Sequence, residues 1–363
     1  MRRWARRVAL GLVVVLLVIA APIVWVEGRC ARSPDPAYRK PPPLVTDPGY
    51  ARRESDSYLT YPEWHIVYAH QDLAAVLERG DPSDFAYGEQ IAGFWRSLCV
   101  LTREATAREA VAMDTRVMLS TIGWSFTAEL ALKGAYEHTF GRLFEWLRGP
   151  GRTAEDAFVA RDMAAYAGFL HQTPWYEYPF GARLAQFWRE TPWRGPHLAR
   201  KLERRASVSV EYAIKVAYAA IIGQASQATL GAAASEIHTV VVGPEPGRLS
   251  NERGVTVVRD LGGGRTLIRT RRYQAYTDLL IRLAERGYDL AEIAGNQRIL
   301  VTVITGRNSA PRSIDGAREL FRMRVQSRPG HQRLGLDVRI PDPARVIRDV
   351  QRANGALEHI YDY

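Results

Sequence analysis

The chain opens on an uncharged run. Val8 to Val26 carries no ionisable side chain and follows Arg2, Arg3, Arg6 and Arg7. As a helix rising ~1.5 Å per residue it would span roughly 28 Å, close to the hydrocarbon thickness of a bilayer. The run is longer than the apolar stretch of an ordinary leader peptide, and Val26-Glu27-Gly28 is a poor cleavage site. The pattern therefore favours an uncleaved anchor, ending near residue 30, over a removed signal peptide. Ser33 to Pro48 contains Pro34, Pro36, Pro41, Pro42, Pro43 and Pro48, which predicts a stiff, extended tether over residues 31–58. From residue 59 to about 235 the apolar positions recur at helical spacing. Six helices are expected, over 61–79, 83–103, 107–147, 153–171, 180–190 and 197–234. Thr60-Tyr61-Pro62-Glu63 has the form of a capping box, and Thr153 with Asp156 marks another start. The third segment is long for one helix and has Gly123, Gly134 and Gly141 as places to bend.

After Ser235 the period shortens. Thr239–Val242, Val255–Val258, Arg265–Tyr273 and Arg298–Thr305 read as strands. Leu320–Gln326 and Arg333–Ile340 form a hairpin across Arg328-Pro329-Gly330, and Leu357–Tyr363 is a last strand. Helices fill 276–286 and the stretch after Asp342-Pro343. The order from residue 265 is β-α-β-β-β-α-β. It resembles a ferredoxin-like α/β sandwich with an added strand, a topological likeness that implies no activity. The expected class is α+β: an N-terminal transmembrane helix in residues 1–30, a tether, an all-helical domain over 59–235 and the ferredoxin-like domain over 236–363.

Composition refines this picture in two places. The 363 residues carry a formal charge of +10. Almost all the basic residues are arginine, and they lie interleaved with acids along the whole chain. A nucleic-acid binder concentrates its charge on one face, so nucleic acid is not an expected partner. The tight arginine cluster before the apolar run outweighs Arg29, Arg32, Arg39 and Lys40 after it. The amino terminus is therefore placed in the cytoplasm and the main domains outside the plasma (inner) membrane. That compartment permits disulfides, yet Cys99 lies in an apolar stretch and reads as a buried thiol rather than a partner for Cys30. The Ala-rich stretch from Tyr212 to Ala234 is not read as a second span, because Lys215, Gln224 and Gln227 would be costly in lipid.

No nucleotide-binding loop, HExxH or CxxC motif is present, and neither metal nor cofactor is expected. Whether the chain is an enzyme stays open. The weak candidates for acid–base or metal chemistry are His65, Glu137, His138 and His171. They would have to converge on one cleft to act. Glu129, Lys133 and Glu137 repeat every fourth residue, the pattern of an ion-paired helix face. Thr173 to Trp193 is the most unusual segment: Trp175, Tyr176, Tyr178, Phe180, Phe187, Trp188 and Trp193 interleave with Arg183, Arg189 and Arg194. Aromatic rings with arginine suit a membrane interface or the mouth of an apolar pocket, and the bland alternative is a buried lid over the bundle. Trp175, Tyr176, Tyr178, Phe180, Arg183, Trp188 and Trp193 are the expected ligand or membrane contacts. The expected function is thus that of a membrane-anchored envelope protein, held in the bilayer by residues 8–26, that binds a lipid-like ligand or a membrane partner. The alternatives are an envelope enzyme acting on an amphiphile and a structural assembly subunit.

Overall fold

A computed structural model describes residues 20–226, 236–243, 246–307, 316–340, 343–352 and 354–362. Most of the predicted anchor, residues 227–235 and the Asp342 cap lie outside the described residues. The protein is a mixture of helix and antiparallel sheet. Helix α1 covers residues 20–29. It is followed by α2 (Glu54–Arg79), α3 (Tyr87–Arg108), α4 (Met113–Tyr136), α5 (Arg142–Arg148), α6 (Ala154–Leu170), α7 (Phe180–Glu190) and α8 (Leu198–Ser226). A single π turn, Glu137–Gly141, joins α4 to α5. The break falls at one of the glycines marked by the sequence. A Cβ at Gly141 would collide with the Glu137 carboxylate folded across it.

Helix α2 begins seven residues before the expected start. The proposed capping box does not form: Thr60 bonds back to the Asp56 carbonyl at 2.8 Å, and Pro62 lies inside the helix. An internal proline costs a helical hydrogen bond, and tertiary contacts offset it. Ser57 donates to the Tyr361 carbonyl at 2.6 Å, and Tyr58, fully buried, donates to Asp337 at 2.7 Å. Thr153 does cap α6 through the Asp156 amide, at 3.1 Å.

The C-terminal part departs from the expected ferredoxin-like sandwich. Its strands are β1 (Glu236–Val242), β2 (Val255–Gly262), β3 (Arg265–Arg271), β4 (Asp289–Ile293), β5 (Arg298–Gly306), β6 (Ala317–Arg324), β7 (His331–Arg339) and β8 (Ala356–Tyr361). Helix α9 (Gln274–Glu285) precedes β4, and α10 (Pro343–Arg352) precedes β8. The sheet orders are β2-β3-β1-β4 and β6-β7-β5-β8. Each half is thus one β-β-β-α-β unit with the same strand order. The short strand β4 was not anticipated, and with it the single sheet becomes two. The duplication extends to the irregularities. The ladder slips between Val240 and Val241 in the first unit and between Thr302 and Val303 in the second. It slips again at Val257/Arg259 and at Glu319/Phe321. Gly254 and Gly316 each sit at positive φ, 85° and 78°, just before the second strand of a unit.

The inner faces of both sheets share one core with α9 and α10, built from residues such as Ile237, Ile268, Leu280, Val301, Leu336, Val346 and Ile360. The two outer faces are covered differently. Helix α2 lies on the second sheet, with the Tyr61 ring 4.6 Å from Phe321 and Trp64 stacked 3.8 Å from His359. On the first sheet the cover is the Pro-rich segment. Val45 and Tyr50 pack on Val240 and Leu267, and buried Glu292 accepts from the Tyr50 hydroxyl at 2.7 Å and the Leu44 amide at 2.9 Å. That segment, expected as a tether, lies strapped along the fold.

The cysteines also depart from expectation. Cys30 and Cys99 form a disulfide, which joins the end of α1 to α3. Both sulfurs are in the apolar core. Hydrophobicity around Cys99 marks burial, and burial is equally compatible with a bridge when the partner lies in the same core.

Candidate functional site

The four acid–base candidates are dispersed. His65 is enclosed by Phe94, Phe126 and Tyr61, and its Nε2 pairs with the Gln90 carbonyl at 3.0 Å. Burial holds its pKa down at about 3, so the ring is neutral. Glu137 is locked by Arg204 through two bonds of 2.9 Å. His138 is exposed, edge-on to Tyr87 at 5.6 Å. His171, at the end of α6, stands 5.7 Å from Trp64 and 6.4 Å from Tyr68, and burial lowers its pKa. Of the four, His171 lines a cleft described below. Among the described residues no cluster of His, Cys, Asp and Glu could hold a metal.

The aromatic segment is mostly interior. Tyr178, Phe180 and Phe187 are buried. The Tyr178 hydroxyl donates to Asp162 at 2.8 Å, Arg183 pairs with the same carboxylate, and Phe180 packs on Tyr166 and Tyr212. Trp188 and Trp193 close over Arg205, whose guanidinium carbon lies 5.0 Å and 4.2 Å from their ring centres. Trp175, with Tyr176 beside it, rests 5.0 Å from Tyr218 on α8. These rings join α6, α7 and α8, and only Trp188 and Trp193 reach far outward.

The larger apolar surface lies elsewhere, on α4, α5 and α8. Leu198–Gly223 is long and apolar enough to cross a membrane, and only 11% of its most apolar window is buried. From Ala206 to Ile221 every exposed residue of α8 is apolar, Ile214 and Ile221 being 62% and 67% exposed. On α4, Val117, Met118, Trp124 and Leu132 are exposed, and Phe140, Leu143, Trp146 and Leu147 are exposed beyond the π turn, interspersed with exposed His138, Thr139 and Arg142. Near their middles the charges of the two helices pair with one another, whereas Asp114 at the start of α4 is exposed. Lys133 bonds Glu211 at 2.9 Å, and Lys215 pairs with Glu129 at 3.1 Å and Glu211 at 3.4 Å. Beyond them Tyr136 donates to Glu203 at 2.6 Å. The polarity of an ordinary surface helix is thus inverted. The sequence carried this signal: on each helix two opposite charges stand four apart, hence on one face, within an otherwise apolar stretch. Lys215 had counted against a second span; in the fold it is paired with Glu129 and Glu211.

A cleft of about 230 Å³ lies where α2, the end of α6 and the second sheet meet. Its polar lining includes Tyr68, Gln71, His171, Gln274, Ser327, Arg328 and Glu358, and Ile304, Val325 and Leu357 form an apolar wall. Glu358 is the extra residue of the β8 bulge, between His359 and Leu357. Bulges of this kind re-aim a side chain. Arg333 grips Glu358 in a fork of 2.5 Å and 2.7 Å and lies 4.0 Å over the Tyr68 ring.

No family model matches the chain, and no curated protein or solved structure matches it either.

Proposed function

We propose that this chain is a membrane-seated protein of the cell envelope, whose helical half lies against the bilayer through α4, α5 and α8 and holds the duplicated sheet unit in the aqueous phase. The carrying observation is the exposed side of α8, which is apolar from Ala206 to Ile221 while Glu211 and Lys215 are engaged in ion pairs. Contiguous exposed apolar surface of this extent marks an interaction site. Its occupant is lipid. Between Ala206 and Ile221 no charged residue of α8 is exposed, and tryptophans border the apolar face: Trp146 and Trp193 toward the start of α8, Trp175 by its end. Exposed Arg161 and Glu190 form an ion pair on the α6–α7 flank, at 62% and 42% exposure. Full immersion would strand those charges, so the face lies in the plane of the interface rather than crossing the membrane. The disulfide supports an oxidising compartment, in keeping with main domains outside the plasma membrane and with residues 8–26 as the anchor. The dispersed histidines give the enzyme alternative no common centre.

The test is photolabelling of the full chain in vesicles with a phosphatidylcholine carrying an acyl-chain diazirine. Adducts are expected in peptides covering 206–223 and 117–147, and Ile214→Asp with Ile221→Asp should reduce those on α8 severalfold. Adducts confined to residues 8–26 would overturn the seat and return the face to a protein partner.

A further inference from the structure

The cleft beside His171 has a chemistry of its own. Its one acid, Glu358, is neutralised by the two-pronged contact with Arg333, and both side chains are largely buried, 14% and 4% exposed. Arg328, at the rim, has no acidic partner among the described residues. The cleft therefore carries a net positive charge, with donors from Gln71 and Ser327 around it. The loop that presents them is fixed: the Ser327 amide donates to buried Asp72 at 2.8 Å, and Arg79 holds the Gln326 carbonyl at 2.9 Å. A guanidinium carried on a fixed backbone, with neutral donors beside it, is suited to one phosphate or carboxylate. The opposite wall, Ile304, Val325 and Leu357, is apolar.

Position adds a second constraint. His171 and Trp175 are four residues apart, so the chain between them reaches at most ~14 Å, and Trp175 stacks on Tyr218 of α8. The cleft thus opens within a short distance of the apolar face. We propose that it seats the single anionic headgroup of an amphiphile, with Arg328 as the anion-binding residue and the tail leaving over Trp175 toward α8. The tail half rests on the membrane-seat reading, whereas the headgroup half does not.

The experiment is calorimetric titration of the full chain in maltoside micelles with three probes: monomeric dihexanoyl phosphatidic acid, dihexanoyl phosphatidylcholine and inorganic phosphate. Phosphatidic acid is expected to bind at least tenfold more tightly than either of the others. Arg328→Gln should weaken it tenfold or more, the scale of one charge-assisted contact. Trp175→Ala should weaken phosphatidic acid and leave phosphate unchanged. Phosphate binding as tightly as phosphatidic acid would overturn the amphiphile and leave a plain anion site. Equal binding of phosphatidylcholine, or an Arg328→Gln chain that binds as before, would overturn the headgroup assignment. No bilayer is needed, so failure of the photolabelling with these results intact would sink the seat alone.

Discussion

His359 and His65 show how burial decides the state of a titratable group. His359 is fully enclosed under Trp64, with Nδ1 3.2 Å from the Thr277 hydroxyl and Nε2 without a hydrogen-bond partner. Burial lowers its pKa to about 3, as it does for His65. In the unfolded chain both histidines take up protons near pH 6.5, while in the folded chain they resist until about pH 3. The unfolded state therefore binds more protons throughout that window, and stability falls as the pH drops from 6.5 toward 3. At pH 5 the loss is on the order of 2 kcal/mol per histidine. Thermal melts between pH 7 and 5 should show a falling midpoint, and the fall should shrink in a His65→Gln chain. A midpoint independent of pH would contradict neutral burial. From sequence, His65 was a candidate ligand. Only the ring contacts with Phe94 and Phe126 reveal it as part of the core, and those partners lie on other helices.

Among the helices, α8 combines two roles on two faces. Its first turns carry Arg200, Arg204 and Arg205 into the bundle, where Arg204 meets Glu137 and Glu203, all three side chains being 3% exposed. Removing one partner of such a set leaves a buried carboxylate uncompensated. Arg204→Ala is expected to destabilise by about 3–5 kcal/mol, read as a shift in the chemical-denaturation midpoint, whereas Arg189→Ala on the exposed side of α7 should change little. Some helix positions were legible from local signals: α7 matches its predicted bounds and Thr153 caps α6. The start of α2 was not legible, because the contacts that extend it back past Pro62 come from Asp337 and Tyr361, near the other end of the chain.

The whole molecule is held together by covers and clasps that run between distant parts of the chain. The strap over the first sheet and α2 over the second do equivalent work on duplicated units, and the Cys30–Cys99 bridge ties α1 into the same core as α2 and α3. Reducing that bridge, or replacing Cys30 with Ala, should cost about 2–5 kcal/mol and lower the melting midpoint of the full chain. An unchanged midpoint under reductant would mean that the Glu27–Arg116 pair and the packing of Val26 already hold α1.

Local chemistry, which acts over a few residues, is what can be read along the chain: helical and strand periods, the Thr153 cap, the bend near Gly141, the hairpin across Pro329-Gly330 and the mixed α+β class. The duplication escaped detection because equivalent positions carry different side chains, as with Leu267 and Gly335 opposite Val240 and Thr302. A strand order is a set of pairings between segments far apart, and no single segment encodes its neighbour. The same reason separates the two candidate sites from the pattern that suggested others. An aromatic segment is visible in one dimension, but whether its rings face solvent depends on what packs against them. The apolar face and the cleft exist because folding turns the charges of α4 and α8 toward each other and lets Arg333 neutralise Glu358.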